Sequence, residues 1–245
     1  MIPYERQQKI LGLLKNKELL KFEEIQQNFP TVSDSTLRRD LKELKKNNKV
    51  EYLSGGAIKL ATTIGEVSIT TKKKFHSKEK EHIATVASKH VDEGDVIYLD
   101  SGTTCTSLFN KIKEKEITIY TSNAEIFSDI TNLKANVIFL GGEFNPLTFS
   151  VSGSLAEKNI QELYFSKSFL GANGIDEKYG VTTPTLSEAN KKRLVREHSD
   201  EVFLLSDSSK FHNLSHVRAF LLKDVTIISD KFDEKLGEIV SIIFE

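Results

Sequence analysis

Six short runs rich in β-branched and aromatic residues punctuate the chain from Val96 onward: Val96–Leu99, Ile117–Tyr120, Val137–Leu140, Ser168–Leu170, Val202–Leu205 and Val225–Ile228. Most read as buried strands by that pattern. Helical segments separate several of them, at Thr104–Lys113, Ala124–Asn132 and Leu186–His198, and another precedes the set at Ser77–Val91. Strands alternating with helices point to a mainly parallel, layered α/β sheet.

Five of the runs give way to small polar residues: Ser101-Gly102-Thr103-Thr104, Thr121-Ser122-Asn123, Gly141-Gly142-Glu143, Gly171-Ala172-Asn173-Gly174 and Ser206-Asp207-Ser208-Ser209-Lys210. The carboxyl ends of parallel strands border the ligand crevice of an open α/β sheet, so these loops predict a binding site on one sheet edge. Ser101–Thr104 falls between a strand and a helix, where glycine permits close backbone approach and the first amides of the helix face an anion. Lys210 adds a point charge suited to phosphate. Neither the Gly-x4-Gly-Lys-Ser/Thr spacing nor Gly-x-Gly-x-x-Gly is present, so this is no P-loop and no dinucleotide fingerprint.

The first sixty residues are built differently. From Asp34 to Lys46, Leu37, Leu41 and Leu44 form one narrow apolar stripe at helical spacing. Ser35, Arg39, Lys42 and Lys46 fall on the opposite face, flanked by Arg38 and Lys45. Ser33 can accept a bond from the amide of Ser35 or Thr36, and Asp34 favours the positive end of the helix dipole. Tyr4–Leu14 and a segment carrying Phe22, Ile25 and Phe29 supply two earlier helices, and Val50–Lys59 reads as a hairpin around Ser54-Gly55-Gly56. Three helices and a hairpin make a winged helix-turn-helix, whose recognition helix reads base edges with its first turns.

Charge agrees with this division. A net −1 hides an asymmetry: residues 1–60 carry twelve Lys and Arg against eight Asp and Glu, whereas residues 61–245 carry 22 against 27. The basic end is the candidate partner of nucleic acid. The expected domains are a winged helix-turn-helix at 1–60, a Thr- and Lys-rich linker at 61–75 and an α/β domain at 76–245. One cysteine excludes an intrachain disulfide, and no long apolar run or leader is evident, so a cytoplasmic protein is expected.

Arg6, Ile10 and Leu14, then Ser33, Thr36–Leu41, then Gly55-Gly56 resemble the N-terminal signature of the DeoR family of bacterial transcriptional regulators. The resemblance continues in order through Tyr98–Thr104, Thr121–Asn123, Gly141-Gly142, Phe169–Asp176, Thr182–Pro184 with Glu188 and Lys192, and Asp207–Phe211. It covers nearly the whole chain; Ser54 departs, standing where the family usually has histidine. The resemblance implies a homo-oligomeric repressor, dimer or tetramer, of a carbohydrate-metabolism operon. It also implies a sensor domain related in fold to ribose-5-phosphate isomerase and CoA transferases, with a phosphorylated sugar or related metabolite as effector. Effector contacts are expected at Asp100, Ser101, Gly102, Thr103, Thr104, Asn123, Gly141, Gly142, Asn173, Glu188, Lys192 and Lys210. DNA contacts are expected at Ser33, Ser35, Thr36, Arg38, Arg39, Lys42, Lys46, Ser54, Gly55 and Gly56. No cofactor or metal is expected.

Rival readings come from other classes. An isomerase or transferase would use Asp100, Asp176, Glu188 and Lys210 as acid, base and electrophile, but nothing in a catalytic account requires a basic winged helix. An interaction module would oppose its basic helix to an acidic protein. Cys105 beside the Gly-Thr-Thr loop reads as a packed cysteine rather than a nucleophile. His212 and His216 have ligand spacing without an evident third ligand.

Overall fold

The computed structural model describes residues 2–17, 19–46, 49–52, 56–60, 68–223 and 225–244. The chain divides into two compact units, Met1–Glu66 and Val67–Glu245.

In the first unit, α1 (Pro3–Asn16) is followed by β1 (Leu20–Lys21), α2 (Phe22–Gln27), α3 (Asp34–Lys46), β2 (Val50–Tyr52) and β3 (Ala57–Leu60). Pro3 occupies the first position of α1, where its missing N–H leaves no bond unmade. The third helix has the bounds its spacing predicts, and the Thr36 amide donates to Ser33 Oγ at 3.4 Å. Leu37, Leu41 and Leu44 are buried against Ile10, Leu14, Ile25 and Phe29. Full burial of each such side chain is worth roughly 1.5–3 kcal/mol. Asp40 lies on the same buried face, and Arg6 answers it with two bonds, Nε at 2.6 Å and Nη2 at 3.2 Å. Both residues belong to the family-like motif, which here serves to join α1 to α3. The hairpin pairs Val50 with Leu60 and Tyr52 with Ile58. The two residues of β1 add a third strand beside β3, too short to leave a periodic signal in sequence.

The second unit opens with α4 (Ile69–Lys74), in the stretch expected as linker, and α5 (Ser77–Ser88). There follow β4 (Val96–Leu99), α6 (Thr103–Ile112), β5 (Thr118–Thr121), β6 (Asn136–Phe139), β7 (Glu143–Asn145), β8 (Ser150–Ser152) and α7 (Ser154–Gln161). After them come β9 (Phe165–Gly171), β10 (Gly174–Asp176), β11 (Gly180–Thr183), α8 (Leu186–Glu197), β12 (Ser199–Leu205), β13 (Val217–Phe220), β14 (Thr226–Ile228), α9 (Glu234–Gly237) and β15 (Ser241–Ile243). Seven strands form one sheet in the order β15-β14-β12-β9-β4-β5-β6, and each neighbouring pair is parallel. Alternation along the strands divides the core between the two faces. Ile97, Leu99, Ile119 and Phe169 pack with residues of α5 and α6, while Tyr98, Leu170 and Leu204 pack with residues of α7 and α8.

One expected helix is corrected. Ala124–Asn132 is only a 3-10 turn at Ala124–Ser128. Side chains there take over the backbone bonding: Ser128 Oγ donates to Glu125 O at 2.8 Å, and Asp129 Oδ1 accepts from the Thr131 amide at 3.1 Å. Such local bonds compete with helix propagation. The antiparallel sheet β10-β11-β13 and the hairpin β7–β8 carry no periodic signature, their strands being three or four residues long.

Candidate functional site

Two surfaces gather the expected contact residues. On α3, Ser33, Ser35, Arg38, Arg39, Lys42 and Lys46 are exposed and Thr36 is half-buried. Arg38 is set apart, since its guanidinium lies 4.0 Å from the centre of the Phe22 ring and is thereby held by the unit itself. Arg39 and Lys42 have no intramolecular partner among the described residues. Lys45 approaches the Tyr52 ring at 5.1 Å, linking the end of α3 to the hairpin. At the hairpin tip Gly56 has φ +78° in open space, while Ser54 and Gly55 lie outside the described residues.

On the sheet, the chain runs outward from β4 through β5 to β6, then returns to the other side of β4 as β9 and continues to β12. The order therefore reverses between β4 and β9, and a reversal of this kind opens a crevice at the carboxyl ends of the strands. The five polar loops stand at the ends of five adjacent strands. At the reversal itself, Asp100 is fully buried, its Oδ2 accepts from the Gly171 amide at 3.2 Å, and Lys192 of α8 donates to that same oxygen and to Gly171 O. Burial opposes ionisation of Asp100, but the ammonium groups of Lys192 and Lys191 outweigh it and hold its carboxyl below the usual carboxylate range. Burial also opposes charge on Lys192, and Asp100 with Glu188 raises its ammonium above the ordinary value.

Around this pair the loops divide by accessibility. Ser101, Gly102, Thr103, Thr104, Asn173, Glu188 and Lys210 are half-buried, Gly141 and Gly142 are exposed, and Asp100, Asn123 and Lys192 are buried. Gly102 caps α6 with φ +128° and has nothing within 4 Å of where a Cβ would stand, which leaves the start of that helix open. Gly142 is a packing glycine: a Cβ there would stand 2.6 Å from Ser152 O, so its absence lets the hairpin β7–β8 close against the chain. Asn123 spends its side chain internally, donating to Thr106 Oγ1 at 3.0 Å and accepting from the Glu125 amide at 3.0 Å. Thr183 donates to Glu188, which faces it from the first turn of α8.

Two lysines escaped the sequence reading. Lys191 is as buried as its neighbour and donates to Ser122 Oγ at 2.8 Å and Val151 O at 3.0 Å. Its only sequence signal was adjacency to Lys192 in a helix whose apolar face is short. Lys80 of α5 is buried, donates to the carbonyls of Lys72 and Phe75 at 2.6 Å each, and feels the charges of Asp207 and Lys210. Burial lowers its pKa. It thus brings a second cation toward the loop that carries Lys210.

The catalytic and metal temptations meet specific geometry. Cys105 is buried, with Sγ 3.7 Å from Phe169 O, and burial pushes its thiol well up. The His212 ring lies between Glu177 (Nδ1 to Oε1 3.0 Å) and Asp233 (Nε2 to Oδ2 2.8 Å). Among the described residues no helix is long and apolar enough to cross a membrane.

Comparison with known proteins covers both units. Residues 75–231 match the family model of the DeoR C terminal sensor domain, and residues 6–63 that of the DeoR-like helix-turn-helix domain. An uncharacterized HTH-type transcriptional regulator of Bacillus subtilis, YulB, is 31% identical over 94% of this chain and 90% of its own length. The lactose phosphotransferase system repressor of Staphylococcus epidermidis is 33% identical over 86% of this chain and 84% of its own. Among solved structures, ribose 5-phosphate isomerase A of Methanocaldococcus jannaschii aligns with 56% of this chain and 55% of its own, at 18% identity and a TM-score of 0.41.

Proposed function

This chain belongs to the DeoR family of transcriptional regulators, and from that premise we propose that it represses a carbohydrate-metabolism operon and that a phosphorylated sugar alters its hold on the operator. The observation that carries the reading is the presence, in one chain, of a helix with an exposed cationic face and of polar loops at the carboxyl ends of the strands on both sides of the β4/β9 reversal. Arg39 and Lys42 reach into the major groove, Arg to base edges and Lys chiefly to phosphate, while Arg38 contributes from its seat on Phe22. Ser33, Ser35 and Thr36 present hydroxyls at the start of α3, and Gly56 with the rest of the wing follows the backbone. Two copies, joined through their larger units, hold half-sites separated by whole turns of DNA.

At the sheet edge, the amides of Ser101–Thr104 and the Lys210 ammonium take the phosphate. Asn173 and Glu188 take sugar hydroxyls. Asp100 and Asn123 act from behind, Asp100 by holding Lys192 charged and in place, Asn123 by fixing the loop after β5. A name such as lactose phosphotransferase system repressor, borne by a relative, supports a sugar phosphate as the chemical class. The site of action is cytoplasmic, where operator and metabolite are both found.

The test is titration of the purified chain against its own upstream DNA at fixed salt, with and without a panel of phosphorylated sugars. Specific binding weakened by one of them is expected. Absence of specific binding under every condition overturns the reading.

A further inference from the structure

Helix α4 is the first described element of the larger unit, and any signal passing along the chain to the first unit passes through it. Its first amide, that of Ile69, has no acceptor within the helix. It donates instead to Leu147 O at 2.9 Å, in the turn of the β7–β8 hairpin, and the Ile69 side chain is buried. Lys73 pairs with Glu125, the residue whose amide Asn123 holds. The hairpin in turn is bonded to the end of β5, Val151 N to Ser122 O at 2.9 Å and Ala124 N to Phe149 O at 2.8 Å. Lys191 secures it from the other side by donating to Val151 O.

Lys191 donates to Ser122 Oγ at 2.8 Å and stands between two further acceptors. It holds Val151 O at 3.0 Å, and it faces Asp100 Oδ1 at 3.9 Å, a buried oxygen that accepts no hydrogen bond among the described residues. Lys192 occupies the other oxygen of the same carboxylate and stabilises its charge more than Lys191 does. We propose that the Asp100–Lys191–Lys192 cluster governs the docking of α4, so that Lys191 is a positioning residue that converts occupancy of the crevice into release of the segment leading to the first unit. An anion that engages Lys192 weakens its hold on Asp100. The carboxylate then draws Lys191 onto Oδ1, Val151 O is let go, and the hairpin loosens its grip on Ile69. This inference rests on the repressor reading for the identity of the anion, but not for the coupling itself.

Amide hydrogen exchange of the full chain, without DNA or sugar, tests it. Lys192→Gln imitates engagement of Lys192, and exchange over residues 68–75 is expected to quicken about tenfold while β4 keeps its protection. Lys192→Arg is expected to restore the wild-type rate. In a Lys191→Met background, Lys192→Gln should add nothing, because the route is already cut. A merely structural Lys192 would disturb the surroundings of Gly171 and leave 68–75 unchanged, and that result, or additivity of the two substitutions, overturns the proposal. Should Lys192→Gln fail to fold, Asp100→Asn carries the test with the opposite sign: it removes the attraction for Lys191, so exchange at 68–75 should stay at or below the wild-type rate, and acceleration there overturns the coupling. A failed operator titration leaves this measurement standing, and the reverse also holds.

Discussion

Asp100 keeps its charge although fully buried because the ammonium groups of Lys192 and Lys191 and the Ser101 amide face it. Its folded pKa lies below the ordinary value of about 3.9, so its contribution to stability is complete above that value and is lost as pH falls through the folded one. Thermal unfolding midpoints should therefore fall more steeply on acidification in the wild type than in Asp100→Asn; parallel slopes would show that the carboxylate is not held this way. His212 has the opposite sign. Its bond to Asp233, with Glu177 on the other nitrogen, raises its pKa, so the contribution is complete below the ordinary value of about 6.5 and is lost as pH rises through the folded one. His212→Ala should lower the midpoint in mildly acidic buffer and have little effect in alkaline buffer. Equal effects in both buffers would assign His212 a role independent of charge. Cys105 makes a third case: with its thiol buried and its pKa raised, alkylation should require unfolding, and rapid labelling of native protein would contradict its placement.

Helix α3 was legible from end to end because three signals coincide: a leucine stripe, a serine cap and cationic residues on the outer face. Elements lacking such agreement were not. The 3-10 turn at Ala124–Ser128 shares helical composition with a true helix, and only the side-chain bonds of Ser128 and Asp129 distinguish them. The loops of the crevice were visible as polar punctuation, since parallel strands put successive carboxyl ends on one edge. Lys191 and Lys80 stayed hidden for different reasons: Lys191 depends on Val151 O, distant in sequence, and Lys80 on the carbonyls of Lys72 and Phe75, which reach it only because the chain turns between α4 and α5. Arg39→Ala should cost roughly 1–3 kcal/mol of operator affinity and relax base preference at one position, whereas Lys42→Ala should weaken operator and unrelated DNA alike. Both variants keep the Arg6–Asp40 pair that joins α1 to α3, so their melting behaviour should match the wild type. Undiminished operator affinity in Arg39→Ala would remove that residue from the base-reading set.

Charge is divided unequally over the chain, with an excess of Lys and Arg in residues 1–60 and of Asp and Glu beyond, and the two binding activities follow that division. Coupling between them needs little energy: a tenfold loss of operator affinity corresponds to about 1.4 kcal/mol of difference between the sugar's affinities for the two states. Linkage then fixes what the sugar must experience. If a phosphosugar weakens operator binding by some factor, operator-bound protein must bind that phosphosugar more weakly by the same factor, provided both complexes contain the same number of chains. Calorimetric titration of the sugar into free protein and into the operator complex, at one salt concentration, measures the two sides of this cycle. Equal factors are expected if the sugar acts by rearranging an intact dimer. Unequal factors would mean that chains leave or join the complex when the sugar binds, because only a change in stoichiometry lets the two ratios differ. Repeating the titration at two protein concentrations would then show the dependence that dissociation demands and that a rearranging dimer lacks.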